Sequence, residues 1–179
     1  MDKKYSDALT YLASFDGGLS RYNWDRALTY KLKYDVHPGT FVQFFISEKL
    51  IVNEVPVSNT NYELSPSGKD LVKENLKNLK PILDRVDKAL TICMSSGDGI
   101  SVNKHPPYYE IGCLGSRITI WINRNNDKTE IVCSFPSETE SKVNNLSLSI
   151  SMIEKTDILD ELIAAHIKYL LNMKLKPTA

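Results

Sequence analysis

The sequence predicts an α+β protein, and three observations carry that prediction. The first half of the 179 residues is dominated by apolar residues at helical spacing, whereas the second half contains β-rich runs separated by turn residues. A heptad-like series of apolar residues lies where the two halves meet. We therefore expect an N-terminal domain over residues 1–80, a long connecting helix over 66–92, and a small α+β domain over 93–179 with antiparallel strands and a final helix.

Three short helices are expected before residue 50. Apolar residues at helical spacing predict the first helix over 4–15, which Asp16-Gly17-Gly18 would end. Asn23 is a candidate N-cap for the second helix. The third helix is expected over 38–49, with Pro38 in its first turn, where proline is tolerated.

A hairpin and a long helix follow. Two strand-like runs, 50–57 and 62–64, flank the polar tip 58–61, which is the pattern of a β-hairpin. Ser65-Pro66 has the character of an N-cap followed by proline at the first helical position. The helix that begins there is expected to be kinked or divided at Pro81.

The long helix carries a seam of apolar residues spaced alternately four and three apart. Its members are Val72, Leu76, Leu79, Leu83, Val86 and Leu90. Such a series is typical of a helix pair, so one interpretation is a homodimer seam. The other interpretation is that the helix packs against its own domain, and the sequence leaves both open.

The second half shows the pattern of a small sheet. Four runs have strand character: 108–114, 117–123, 130–135 and 146–152. Residues 93–107 are expected to form a loop, and Thr156 or Asp157 to cap a final helix. This predicts three to four antiparallel strands and one helix.

Composition excludes several classes of protein. There are 22 basic and 22 acidic residues, so a strongly basic, non-specific nucleic-acid binder is excluded. The sequence has no run of about 18 apolar residues, so we expect no membrane partner. Cys93, Cys113 and Cys133 are odd in number and form no CxxC pair, which favours buried, reduced thiols in a cytoplasmic protein.

Two segments together resemble a known domain. They are Thr40-Phe41-Val42-Gln43-Phe44-Phe45-Ile46-Ser47-Glu48-Lys49-Leu50-Ile51 and Tyr62-Glu63-Leu64-Ser65-Pro66-Ser67-Gly68-Lys69-Asp70-Leu71. With the order of elements around them, they resemble the winged helix (winged helix-turn-helix) domain of prokaryotic transcription regulators. The resemblance covers residues 4 to about 80 and does not extend to the C-terminal half.

The resemblance implies a DNA-binding transcriptional regulator whose third helix enters the major groove of double-stranded DNA. If Phe41, Phe45 and Leu50 point inward, the base-reading side chains are Thr40, Gln43, Phe44 and Ser47. The expected phosphate contacts are Arg21, Arg26, Lys31, Lys33 and Lys49, and the wing would contribute Asn59 and Asn61. The C-terminal domain would then sense a small-molecule or protein effector, or complete a homodimer.

Two alternatives remain. Residues 1–92 carry 13 basic and 12 acidic side chains, and the wing tip has no arginine or lysine. These features favour a winged helix that serves as a protein–protein interaction module without binding DNA, in which Phe44 would contact the partner. An enzyme using Asp98 or His105 is the weaker alternative; we expect no enzyme, no cofactor and no metal, because the histidines are isolated and no catalytic group of residues assembles.

Overall fold

The computed structural model describes residues 2–34, 37–53, 60–95, 99–125, 128–136 and 143–174. The chain divides into two compact units. The N-terminal unit comprises Met1–Leu79, His105–Tyr108 and Arg124–Lys128, and the remaining residues from Lys80 onward form the C-terminal unit. The predicted α+β class is confirmed: helices and an antiparallel sheet are both present.

The N-terminal unit begins with short helices. Its elements are α1 (Lys3–Ala13), β1 (Leu19–Ser20), α2 (Arg21–Arg26), a π-helical turn (Ala27–Lys31), α3 (Pro38–Ser47), β2 (Asn61–Tyr62) and the first part of α4 (Pro66–Met94). The predicted start of the second helix is wrong. The side chain of Ser20 accepts a hydrogen bond from the backbone N–H of Asn23, so Ser20 is the N-cap and α2 begins at Arg21.

The predicted hairpin is antiparallel where the structure describes it. Ile51 bridges to Leu64, and the backbone N–H of Val52 donates to the carbonyl of Glu63 at 2.9 Å. β2 continues the pairing on its other side, antiparallel to β1. Residues 54–59, which include the end of the first predicted strand and the start of the predicted tip, lie outside the described residues.

α4 begins as predicted. The Ser65 hydroxyl accepts a hydrogen bond from the backbone N–H of Gly68 at 3.1 Å and donates to the carbonyl of Lys49 at 2.6 Å. Gly68 is required here because a Cβ atom would lie 2.1 Å from the carbonyl oxygen of Leu50. Of the kink or division expected at Pro81, the division is wrong: the helix continues to Met94. Pro81 and Lys77 are exposed, so water can reach the carbonyl that loses its hydrogen bond.

The predicted seam along α4 is largely occupied by the chain's own packing. Val72, Leu79, Val86 and Leu90 are at most 6% exposed, whereas Leu76 and Leu83 are half-buried. A homodimer seam formed by all six residues would require four of them to leave the core. This burial favours the second interpretation, in which the helix packs within its own chain.

Most residues of a five-stranded sheet belong to the C-terminal unit. The elements that follow α4 are β3 (Ile100–His105), β4 (Tyr108–Cys113), β5 (Ser116–Asn125), β6 (Lys128–Pro136), β7 (Val143–Ser149), α5 (Ile150–Lys155) and α6 (Ile158–Lys174), with the strands in sequence order. Two expectations are wrong. β3 lies within the predicted loop, because no residue of this edge strand is buried and the strand lacks an apolar pattern. The last strand stops at Ser149, and residues 150–155 form a helix.

The apolar face of α6 is buried, as its pattern predicts. Leu159, Ile163 and Ile167 are at most 1% exposed, and His166 stacks on Phe135 of β6 with ring centroids 3.7 Å apart. All three cysteines are also buried. Across the described residues, no helix combines the length and apolar character that crossing a bilayer requires.

Candidate nucleic-acid interface

α3 has one face in the core and one face in solvent. Phe41, Val42 and Phe45 are at most 1% exposed, and Phe45 stacks on Trp24 of α2 with ring centroids 5.4 Å apart. The inward direction predicted for Phe41, Phe45 and Leu50 is confirmed. These aromatic contacts hold the helix in a fixed orientation.

The outward face of α3 is polar and uncharged. Thr40, Gln43 and Ser47 are exposed, as predicted. Phe44 does not belong with them: it is half-buried, and its ring centroid lies 4.3 Å from that of Tyr5 on α1. The expectation that Phe44 is freely presented to DNA or to a protein partner is therefore wrong, because α1 covers one side of its ring.

Two exposed lysines lie at helix ends, each in a left-handed backbone conformation. Lys33 follows the π-helical turn and Lys49 follows α3, both with φ of 54°. At the end of α3, the N–H of Leu50 donates to the carbonyl of Phe45 and the N–H of Lys49 to that of Ile46. This is the Schellman arrangement, in which glycine usually occupies the position that Lys49 holds. A lysine there has a conformational cost that glycine avoids.

The other predicted phosphate contacts divide into separate groups. Arg21 pairs with Asp25 at 3.6 Å. Arg26 and Lys31 instead line a cavity between α1 and α2, where their cationic groups lie over tyrosine rings. They are therefore brought together with α1 residues, which the sequence analysis did not anticipate.

The residues predicted to form a wing are only partly described. The side-chain amide of Asn61 donates to the carbonyl of Gly17 at 2.8 Å, so this exposed residue also braces the turn after α1. Asn59 lies outside the described residues, as does Asp98 of the weaker enzyme alternative. His105, the other residue of that alternative, stacks on Phe15 with ring centroids 4.2 Å apart.

The cysteines are not poised as nucleophiles. Burial raises the pKa of Cys93 to about 11 and that of Cys133 to about 12. A thiolate is the reactive form, so both side chains are neutral thiols near pH 7. Cys133 is therefore a core residue, as its alternating pattern in the sequence predicts.

Sequence reasoning missed two features of the N-terminal unit. The left-handed lysines carry no sequence signal, because lysine replaces the glycine that would mark such a position. The cavity could have been suspected from Tyr11 and Phe15, which are four residues apart and therefore share a face of α1.

Comparison with known proteins adds no family. No protein-family model matches the chain, and neither the curated proteins nor the solved structures contain a match.

Proposed function

We propose that the protein is a DNA-binding transcriptional regulator and that its N-terminal unit is a winged helix whose α3 enters the major groove. The observation that carries this proposal is the two-sided character of α3: aromatic residues fix one face, and Thr40, Gln43 and Ser47 are presented on the other. Ten residues of helix extend about 15 Å. That length suits a groove about 12 Å wide.

The order of elements supports the same proposal. Apart from the short strand β1, the elements that precede α4 are three helices and an antiparallel strand pair, which is the order that accompanies the sequence resemblance. Gln43 is the residue best suited to base recognition, because an amide can pair bidentately with an adenine edge. Thr40 and Ser47 would hydrogen-bond to bases or phosphates on either side of it.

Lys33 and Lys49 support phosphate contacts beside α3. Holding a non-glycine residue in the left-handed region costs about 1–2 kcal/mol. A cation at the C-terminal end of a helix recovers part of this through the helix dipole. We infer that the lysine side chains serve a further purpose, which is to contact phosphates that flank the groove. Because acidic and basic residues are balanced in the chain, non-specific binding should be weak, and base contacts should carry much of the discrimination.

The first test is a fluorescence-anisotropy titration with random-sequence duplex DNA at two salt concentrations. We expect wild-type binding that weakens with salt. Lys49→Gly should bind more weakly, with a salt slope reduced by about one, yet its free energy of unfolding should rise by about 1 kcal/mol. Lys73→Gln, which removes the same charge from an exposed site on α4, is the control and should change neither quantity appreciably.

The outcomes distinguish the alternatives. Absence of wild-type DNA binding at low salt would overturn the proposal and favour the protein-interaction module. A Lys49→Gly variant that is more stable but binds DNA as well as wild type would exclude the phosphate contact alone.

The second test concerns sequence recognition. The wild-type protein first selects duplexes from a random pool. At one base pair of the selected sequence, Gln43→Ala should reduce the difference in binding free energy between the selected base pair and the others by about 1–3 kcal/mol. Asn78→Ala removes a similar exposed amide from α4 and should leave the selected sequence unchanged. If Gln43→Ala selects the same sequence as wild type, Gln43 is not a base contact.

A further inference from the structure

A cavity of about 350 Å³ lies between α1 and α2 within the N-terminal unit. Its lining residues are Tyr11, Phe15, Leu19, Asn23, Arg26, Ala27, Tyr30 and Lys31. Its volume is within the range of small-molecule sites. Most of the lining residues are aromatic or apolar, and the other three supply one amide and two cations.

The two cations have no carboxylate partner among the described residues. The Arg26 guanidinium donates to the Tyr22 hydroxyl at 3.0 Å and lies 5.5 Å and 6.0 Å from the ring centroids of Tyr22 and Tyr30. The Lys31 ammonium lies 5.1 Å from the ring centroid of Tyr108. Cation–π contacts orient a cation without neutralising it, so both charges remain available to an anion.

The π-helical turn explains why both cations line one cavity. The N–H of Leu32 donates to the carbonyl of Ala27 at 2.9 Å, five residues earlier. In an α-helix, at 100° per residue, Arg26 and Lys31 would be separated by about 140° around the axis. The wider π turn reduces that angle and turns Lys31 toward the same side as Arg26. Such turns are rare and frequently occur at functional sites.

The remaining polar group also lines the cavity. The side-chain amide of Asn23 makes no hydrogen bond to the described residues, while the backbone N–H of this residue is used by the Ser20 cap. None of the residues that line the described cavity is acidic. The site thus offers aromatic surface, one free amide and a doubly cationic edge.

We propose that this cavity binds a small aromatic anion, a planar ring that carries a phosphate or carboxylate group. The ring would lie against Phe15 and Tyr30, since aromatic side chains stack on planar rings, and the buried Tyr11 would form the floor of the cavity. The oxyanion would accept hydrogen bonds from Arg26, whose fork suits carboxylate and phosphate geometry, and from Lys31. Asn23 would hydrogen-bond to a polar atom on the ring. This site does not depend on DNA binding by α3.

The test is isothermal titration calorimetry of the full chain at constant ionic strength, with four probes. Adenosine 5′-monophosphate and indole-3-acetate carry both a ring and an oxyanion; adenosine and inorganic phosphate each carry only one of the two. We expect at least one of the first pair to bind about tenfold more tightly than adenosine or phosphate. Which one binds distinguishes a nucleotide from an aromatic carboxylate.

Variants locate the site. Arg26→Gln, Lys31→Met and Tyr30→Ala should each weaken binding of that probe about tenfold or more. Arg117→Gln removes the same charge from an exposed arginine of the C-terminal unit and should leave affinity unchanged. Because Arg26 and Tyr30 are exposed, we expect their variants to keep the fold. Circular dichroism spectra identical to that of the wild type would show this.

Three results would overturn the proposal. The first is a failure of both aromatic anions to bind. The second is an affinity for inorganic phosphate equal to that for the tighter-binding aromatic anion. The third is wild-type affinity for that anion in all three cavity variants.

Discussion

In the N-terminal unit the charged pair Asp7 and Arg124 is almost wholly buried, with side chains 1% and 8% exposed. In the C-terminal unit the pair formed by Lys88 and Asp157 lies at the surface, with side chains 48% and 61% exposed. The same kind of ion pair therefore occurs in two environments. Its contribution to stability should differ between them, because burial removes the water that would solvate a lone charge.

The buried pair is accompanied by matched polar groups. Arg124 Nε donates to Asp7 Oδ2 at 3.0 Å, and Arg124 Nη2 donates to Asp7 Oδ1 and to Asn75 Oδ1. The Asn75 amide donates in turn to Asp7 Oδ1 and to Thr10 Oγ1. Four side chains from three distant parts of the sequence thus satisfy one another, which is the condition under which a buried charge is tolerated.

The surface cluster has a different character. Lys88 Nζ lies 2.8 Å from Asp157 and 3.1 Å from Asp160, and Arg85 donates to the carbonyls of Ile153 and Thr156. These bonds join α4 to the segment between α5 and α6. Water competes for the exposed pair of Lys88 and Asp157, so losing one partner leaves the other solvated. Asp160 differs, because its side chain is 9% exposed and Lys88 is its charged partner.

The largest effect is expected from Arg124→Met. It leaves the Asp7 carboxylate buried without its partner, and we expect the free energy of unfolding to fall by about 3–5 kcal/mol. Urea titration followed by the fluorescence of Trp24, in a Trp121→Phe background, measures this in the N-terminal unit. Arg117→Met, on the same strand but exposed and 3.6 Å from Glu110, is the control and should cost less than about 1 kcal/mol. Equal costs for the two variants would contradict the comparison.

An intermediate effect is expected from Ser65→Ala. The Ser65 hydroxyl caps α4 and also donates to the carbonyl of Lys49, so its removal leaves two backbone groups without their partner. We expect a loss of about 1–2 kcal/mol in the free energy of unfolding, measured by the same titration. Ser67→Ala, two residues on and exposed, should change it by less than about 0.5 kcal/mol. A cost for Ser67→Ala as large as that for Ser65→Ala would show that the capping bonds are not responsible.

The sequence predicts features that depend on neighbouring residues and fails where distant residues decide. The cap at Ser65, the buried face of α3 and the helix after Asp157 follow from local spacing and turn chemistry. The network of Asp7, Asn75 and Arg124 has no local signal, because the charged partners are 117 residues apart. β3 was missed for a related reason: an exposed edge strand needs no apolar alternation, and its pairing with β4 decides its structure.

The candidate sites show the same division. Thr40, Gln43 and Ser47 could be placed on the outer face of α3 from helical periodicity alone. Phe44 could not, because the ring that covers it belongs to Tyr5, on another helix. The placement of Lys31 in the same cavity as Arg26 depends on the π-helical turn between them, which no propensity in the sequence indicates.

A small effect is expected from Asp157→Asn in the surface cluster. Lys88 keeps Asp160, 3.1 Å from its Nζ, and Arg85 keeps the carbonyls of Ile153 and Thr156, so we expect the free energy of unfolding to stay close to the wild-type value. The difference from wild type, read from Trp121 fluorescence in a Trp24→Phe background, should shrink further at high salt. A salt-independent loss of several kcal/mol would show that the cluster behaves like the buried pair.

The finest distinction between the two regions is the sign of their pH dependence. Burial raises the pKa of Asp7 despite the opposing hydrogen bonds from Arg124 and Asn75, whereas the hydrogen bond from Lys88 lowers that of Asp157. The unfolded-state pKa is about 3.9. Between that value and its own higher pKa, native Asp7 is more protonated than Asp7 in the unfolded chain. Its contribution to stability therefore falls as pH rises through this window. Native Asp157 loses its proton earlier, so its contribution is present above about pH 4 and is lost on acidification through its lower native pKa. Urea titrations between about pH 3 and 6 should show the cost of Asp7→Asn decreasing with pH while that of Asp157→Asn increases. Parallel trends would mean that the hydrogen bonds to Asp7 outweigh its burial, and that the two regions differ in magnitude alone.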